Sequence, residues 1–127
     1  MQKLVWIMAG GALGATARYL LAGLLQRGNP EGFPWGTMAV NILGCFAFGL
    51  IWSLAENHLR LTREAQLMAL TGFIGAFTTF STFIFETGTL WRDASWGLAA
   101  ANLLVQNLVG LISFYLGQAS ANLFTPA

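Results

Sequence analysis

Four apolar segments, each long enough to cross a lipid bilayer, account for most of this 127-residue chain. A spanning helix needs roughly 20 mostly apolar residues, because the hydrocarbon core of a bilayer is about 30 Å thick. Backbone groups within that core must be paired inside the protein, and helices achieve this within one segment. We therefore predict an all-α membrane protein, one domain over residues 1–127. The expected spans are at about 4–25, 35–55, 64–90 and 96–123.

Polar stretches separate these segments. Residues 26–32 are rich in Gly and Pro, a turn composition, and Pro34 suits the start of the second helix. The hydrophilic stretch 56–64 contains Thr62, which we expect to cap the third helix. Because the connections are short, consecutive helices should be antiparallel neighbours. The first apolar run continues well past Arg18, so we interpret it as a retained span rather than a signal peptide.

The composition excludes several classes of protein. Charged residues make up only 9% of the chain, against about a quarter in a soluble domain. Six basic and five acidic residues nearly cancel, so no nucleic-acid partner is expected. The single cysteine, Cys45, cannot form an internal disulfide. We find no cluster of metal-binding residues and no nucleophile–base pair in the sequence, and we do not expect an enzyme.

The distribution of basic residues bears on orientation. With four spans, both termini lie on one side of the membrane. Lys3, Arg60 and Arg63 fall on that side, and Arg27 and Arg92 fall on the other. Orientation normally follows a clear Lys/Arg bias, so this near balance permits insertion in both directions, although a weakly biased protein that inserts one way fits it equally. Four short helices enclose little interior, which favours a homodimer, and dual insertion would make it antiparallel.

Small and charged residues mark particular helix faces. Gly10, Gly14 and Arg18 recur every four residues in the first span. Such small-residue faces let helices approach closely, either in a dimer or within one subunit. Arg18 and Glu86 are charges inside spans, and such charges usually face an interior or a cavity. Arg18 either attracts anions into a vestibule or binds backbone carbonyls, whereas Glu86 either lines a polar path or reaches the membrane interface.

The third span contains an unusual stretch, GFIGAFTTFSTFIFE, over residues 72–86. Its glycines, followed by two β-branched threonines, make a weak helix interior, and we predict a break near Gly75 to Thr79. Such a break would free carbonyl oxygens that can hold a cation. Phe80 and Phe83 share a face of the helix that resumes there, and the positive edge of an aromatic ring can contact a small anion. The alternative is that these rings are core or lipid-facing residues.

Two other spans carry polar stripes. On the second span the stripe consists of Thr37, Asn41, Cys45 and Phe48. On the fourth span it consists of Asn102, Gln106, Gly110, Ser113 and Gly117. An intramembrane asparagine such as Asn41 often serves only to join helices. Two helices that each present a stripe make a water-accessible path more plausible.

These residues together resemble a known family, the Fluc (CrcB) fluoride channels. Thr71–Gly75 and Thr78–Phe83 are similar to the third-helix signature of that family. Its second-helix motif resembles Gly36, Thr37, Val40, Asn41 and Gly44, and its first helix resembles Gly10–Ala15 with Arg18. The match covers nearly the whole chain in order. The fourth helix is less well matched, because Asn102 and Gln106 fall where the family often has other polar residues.

The resemblance implies an antiparallel homodimer with two pores. A structural sodium ion would lie at its centre, held by the backbone carbonyls of Gly75 and Thr78. Phe80 and Phe83 would line the fluoride path, with Asn41 as a hydrogen-bond donor. The resemblance adds Ser81, Thr82, Thr37 and Glu86 to that path, and we add Arg18 at its vestibule.

The implied activity is passive fluoride export across the bacterial plasma (inner) membrane. Fluoride enters cells as the neutral acid and is trapped as the anion, which the negative membrane potential expels through a channel. The strongest alternative is a proton-coupled small multidrug transporter, but the first span lacks a carboxylate and Glu86 is near a span end. An assembly subunit or haem anchor is a further alternative. Haem would require intramembrane histidines, whereas the only histidine, His58, lies in a polar loop.

Overall fold

The computed structural model describes residues 1–27, 32–57 and 61–124, and these ranges are helical apart from short connections. Within them, four helices are long and apolar enough to cross a membrane, at Gln2–Arg27, Trp35–Glu56, Arg63–Arg92 and Trp96–Ala121. Each of the four predicted spans therefore coincides, to within a few residues, with a helix that is long and apolar enough to cross a membrane. Much of the predicted turn over 26–32 lies outside the described residues, as do the loop positions His58 and Arg60.

The third span is composite, whereas the others are continuous. Helix α1 covers Gln2–Arg27, α2 covers Trp35–Asn57, and α5 covers Trp96–Ala121, followed by a 3₁₀ turn at Asn122–Phe124. In the first half of the third span, α3, an α-helical start at Arg63–Gln66 leads into a π-helical stretch at Leu67–Ile74 and a last α-helical turn at Gly75–Phe77. The second half, α4, covers Phe80–Arg92.

The start of the third span has the predicted cap and a further feature that was not predicted. The Thr62 hydroxyl caps α3 by accepting a hydrogen bond from the Ala65 amide at 3.2 Å, as expected. The π-helical stretch was not predicted. Its wider turn is visible at Gly75, whose amide donates to the carbonyl of Leu70, five residues earlier. This widening lies where α3 crosses α1.

Glycine contacts bring the helices together. Gly10 and Gly14 of α1 lie against the backbone of α3, where an added Cβ would overlap the carbonyl oxygens of Met68 and Phe73. The small-residue face of α1 is thus used for packing within one subunit. A similar contact joins α2 to α5, the most extensive helix pair, where a Cβ on Gly49 would overlap the Phe114 carbonyl.

The interior of this bundle is partly polar. Among the described residues, the buried polar side chains are those of Thr37, Ser53, Thr79, Thr87, Asn102 and Gln106. Large apolar side chains such as Leu4, Met8 and Leu20 are mostly exposed. All five tryptophans are exposed, and Trp35 and Trp96 are the first residues of their helices, as expected for the membrane interface. The molecule therefore presents an apolar surface to lipid and gathers its polar groups inside, where the candidate site lies.

Candidate functional site

The third span is broken at two threonines. Thr78 (φ −89°, ψ 161°) and Thr79 (φ −150°, ψ 119°) are extended and separate α3 from α4. Thr79 is the N-cap of α4, because its hydroxyl accepts a hydrogen bond from the Thr82 amide at 3.3 Å. The same hydroxyl donates to the Thr82 hydroxyl at 3.0 Å. The break predicted between Gly75 and Thr79 is confirmed, and it lies at the end of that interval.

Asn41 of α2 pairs with the extended backbone of Thr79. Its Oδ1 accepts from the Thr79 amide at 2.8 Å, and its Nδ2 donates to the Thr79 carbonyl at 3.0 Å. The Thr79 amide has no helical carbonyl to bond to at the break, and it would cost several kcal/mol if left unpaired in a membrane. Asn41 therefore supplies the hydrogen bonds that allow the break, which is a helix-joining role.

The break also deprives two carbonyl oxygens of their usual partners. In a continuous helix the Thr79 and Thr82 amides would bond to the carbonyls of Gly75 and Thr78, four residues earlier. Here they bond instead to Asn41 Oδ1 and Thr79 Oγ1, and neither makes the backbone bond within the described chain. Carbonyl oxygens are suitable ligands for hard cations. Gly75 and Thr78 thus fit the cation-binding role that the resemblance implied for them.

Asn41 begins a row of hydrogen-bonded side-chain amides, which we call the amide ladder (Asn41, Gln106 and Asn102). Asn41 Nδ2 donates to Gln106 Oε1 at 2.7 Å, and Gln106 Nε2 donates to Asn102 Oδ1 at 2.8 Å. Asn102 Nδ2 then donates to the Thr87 hydroxyl at 2.8 Å, which donates to the Phe83 carbonyl at 2.7 Å. Asn102 is 0% exposed and Gln106 is 8% exposed. The ladder therefore connects α2, α5 and α4 through buried polar contacts.

A groove of about 450 Å³ lies on one side of Asn41, and we call it the Arg18 groove. Its lining includes Arg18, Thr37, Val40, Thr79, Thr82 and Glu86. The Thr37 hydroxyl donates to Glu86 Oε1 at 2.8 Å, while Glu86 Oε2 has no hydrogen-bond partner within the described chain. No salt bridge in the described ranges involves Arg18 or Glu86. The groove thus brings together four predicted site residues and contains charges of both signs that are not paired with each other.

The two predicted path rings lie at the start of α4. The ring centroids of Phe80 and Phe83 are 5.8 Å apart, with planes inclined at 54°. Phe83 is buried, whereas Phe80 is 74% exposed. Ser81 is exposed beside it, with its hydroxyl 3.4 Å from Thr79 Oγ1. Within one subunit, therefore, Phe83 is enclosed by protein whereas Phe80 and Ser81 are not.

A second groove, of about 410 Å³, lies further along α2, and we call it the Cys45 groove. Its lining includes Gly44, Cys45, Phe48, Thr78, Gln106 and Gly110. The stripes predicted on the second and fourth spans thus meet at this groove. Residues before Asn41 on α2 line the first groove and residues after it line the second, so Asn41 lies between them.

The sequence indicated most of these positions but not how they are connected. It placed Asn102 and Gln106 on one stripe without assigning their partners, it named Thr79 only as the end of the predicted break, and it did not single out Thr87. The signal that could have revealed these connections is the four-residue spacing of Asn102 and Gln106, which places both amides on one face of a helix. Buried amides in a membrane must find hydrogen-bond partners on neighbouring helices, and Asn41 is such a partner.

Comparison with known proteins places this arrangement in context. The family model described as CrcB-like protein, Camphor Resistance (CrcB), matches residues 5–118. A protein of Nitrosococcus oceani named fluoride-specific ion channel FluC is 54% identical over 116 residues, covering 91% of this chain and 93% of the relative. A protein of the same name from Nitratidesulfovibrio vulgaris (strain Miyazaki F) is 48% identical over 123 residues, covering 97% of this chain and 99% of the relative. One from Desulforapulum autotrophicum is 51% identical over 108 residues, covering 85% and 86%.

Proposed function

We propose that this chain, which belongs to the CrcB family, is a fluoride-specific ion channel and an integral membrane protein. The observation that carries the proposal is the close similarity to channels of that name, over nearly the whole length of both chains. The site supports it chemically, because hydroxyls, amides and ring edges surround a break inside a membrane-spanning helix. Such a protein permits passive permeation and needs no catalytic group.

The Arg18 groove forms the entrance of the proposed path. The Arg18 guanidinium attracts anions into the groove. The Thr82 hydroxyl accepts a hydrogen bond from Thr79, so its own proton remains available to an anion. Thr37 is held by Glu86 and forms a polar wall with it. A small, strongly hydrated anion must exchange water for such donors, which have to bind weakly enough to release it.

Phe80, Phe83, Ser81 and Asn41 form the inner part of the proposed path. The tilted ring pair offers positive ring edges to an anion without a full countercharge. The exposed Ser81 hydroxyl adds a donor beside Phe80. Asn41 is a donor whose two protons already bond within the protein. Its direct contribution therefore requires one of those bonds to be exchanged for the anion.

Gly75 and Thr78 are the proposed ligands of a structural sodium ion, through their backbone carbonyls. Their fit follows from the rerouted amides of Thr79 and Thr82, which leave those carbonyls without helical partners. A bound cation supplies positive charge that lowers the electrostatic cost of an anion in a low-dielectric interior. The amide of Asn41 maintains the break and thereby the availability of these carbonyls.

An antiparallel homodimer with two pores is the proposed assembly. Its support is the exposure of Phe80, Ser81 and Gly75, all of which a channel would have to enclose. The nearly balanced basic residues permit the two orientations that such a dimer needs. We place the dimer in the bacterial plasma (inner) membrane, where a negative potential drives fluoride out of the cell.

The test is fluoride efflux from liposomes that contain the purified protein. A potassium ionophore dissipates the membrane voltage, and electrodes outside record fluoride and chloride. We expect rapid fluoride release with chloride retained. Phe80→Leu should slow fluoride release, whereas Phe85→Leu, at a similarly exposed ring on the same helix (72% against 74%), should not. If folded wild-type protein releases no fluoride, the proposed function is wrong and a transporter or assembly subunit takes its place.

A further inference from the structure

The two grooves on α2 are separated by the contact between Asn41, Thr79 and Gln106. Thr79 lines the Arg18 groove, and Gln106 lines the Cys45 groove. Asn41 lies between them and bonds to both residues through the same Nδ2 atom. The direct route between the grooves therefore crosses the contact that this nitrogen makes with Thr79 and Gln106.

Both donor protons of the Asn41 amide are already hydrogen-bonded within the protein. Nδ2 has two protons, one of which bonds to the Thr79 carbonyl at 3.0 Å and the other to Gln106 Oε1 at 2.7 Å. The bond to Thr79 is one of a pair that holds the helix break. The bond to Gln106 goes to a side chain that can rotate, and this side chain also lines a groove. Gln106 is thus the acceptor that can be exchanged without losing the break.

We infer that the side-chain carbonyl of Gln106 competes with the permeating anion for Asn41 and so limits passage between the grooves. The inference rests on the proposed channel function. An anion at this position replaces a neutral acceptor with a charged one, and charge-assisted hydrogen bonds are roughly twice as strong as neutral ones. Asn102 opposes the exchange, because its Oδ1 accepts from Gln106 Nε2 and holds the glutamine in place.

Single-channel recording in planar bilayers tests this competition, because the unitary current does not depend on how much protein folds. Gln106→Met keeps the length of the side chain but removes the carbonyl that accepts a hydrogen bond from Asn41. At low fluoride we expect a roughly 2- to 10-fold larger unitary current, as loss of one competing neutral hydrogen bond would give. Gln106→Glu keeps an acceptor there and adds repulsion, so its current should fall below that of the wild type.

The matched control is Ser120→Ala, which removes a side-chain hydrogen bond from the same helix. The Ser120 hydroxyl donates only to the Leu116 carbonyl of its own helix, near the end of α5, and its current should equal that of the wild type. A Gln106→Met current equal to or below the wild-type current overturns the inference, and so does a Gln106→Glu current above it. Absence of fluoride current in the wild type would instead overturn the proposed function.

A second measurement requires no variant. In wild-type protein with nitrogen-15 in its side-chain amides, added fluoride should shift the Asn41 and Gln106 resonances together. The resonance of Gln118, three turns further along α5, serves as the reference and should not move. If fluoride current is present but neither the Asn41 nor the Gln106 resonance shifts, Gln106 does not exchange with the anion and the inference is wrong.

Discussion

Replacing Asn41 with leucine tests whether this residue maintains the helix break. The substitution preserves approximate size but removes the partners of three groups: the Thr79 amide, the Thr79 carbonyl and Gln106 Oε1. Both partner residues are buried, at 9% and 8% exposure. A buried polar group left unpaired costs about 1–3 kcal/mol, whereas hydrogen bonds between membrane helices average only about 0.6 kcal/mol. For three groups whose individual costs lie between these two values, we expect Asn41→Leu to lower the free energy of unfolding by about 2–5 kcal/mol.

The assay is reversible unfolding in detergent micelles or bicelles, followed by circular dichroism and by tryptophan fluorescence. Asn107→Leu is the matched control, since it makes the same chemical change on a helix that contributes to the same region. Among the described residues, the Asn107 amide donates only to the Leu103 carbonyl of its own helix, and the side chain is exposed. Surface changes of this kind usually stay within about 0.5 kcal/mol.

The reasoning is refuted if Asn41→Leu and Asn107→Leu unfold with the same free energy. That result would mean that the Thr79 backbone finds other partners, or that the break does not depend on α2. A large destabilisation in both variants would also contradict it, because the effect would then follow from losing any amide rather than from this one.

Three further outcomes are expected. Gly14→Ala should lower the free energy of unfolding by about 1–3 kcal/mol, because the added Cβ would overlap the Phe73 carbonyl. The control is Gly23→Ala on the same helix, where the added Cβ meets nothing within 4 Å, and its free energy of unfolding should be unchanged or slightly higher. Replacing sodium by N-methylglucamine on both sides of the membrane should slow fluoride efflux, and adding sodium back should restore it. Unchanged efflux would contradict cation binding at the Gly75 and Thr78 carbonyls. Topology reporters fused to the C-terminus should detect comparable amounts of both orientations, and a single orientation would contradict the antiparallel dimer.

The positions of the helices could be predicted from the sequence, because in a membrane hydropathy and length alone specify a span. The break could be predicted because glycine and β-branched residues weaken the helix at one place. The π-helical stretch Leu67–Ile74 could not. Its residues are mostly apolar, and hydropathy does not distinguish one hydrogen-bonding period from another. Gly10 and Gly14 indicated a close helix contact, but their spacing did not show that the partner is the π-helical part of α3 in the same subunit.

The site was predictable as a set of residues but not as a set of connections. Spacing shows that Thr37 and Asn41 share a face of α2, yet it does not show that Thr37 bonds to Glu86 while Asn41 bonds to Thr79. Those pairings depend on the rotation of α2 against the broken span. The same rotation decides that Asn41 is engaged by the protein, although from the sequence alone it is equally suited to bind an anion.

The register of α2 against the break is therefore the feature on which the rest of the site depends. Asn41 supplies hydrogen bonds to Thr79, and one turn later Gly44 leaves space for Thr78, because a Cβ at Gly44 would overlap the Thr78 methyl group. A helix turns by about 100° per residue, so a shift of one residue would rotate both positions away from the break. The two threonines would then have neither partners nor room for an extended conformation. It follows that substitutions at the α2 contact should alter cation binding and anion passage together, whereas substitutions at Phe80 should alter anion passage alone.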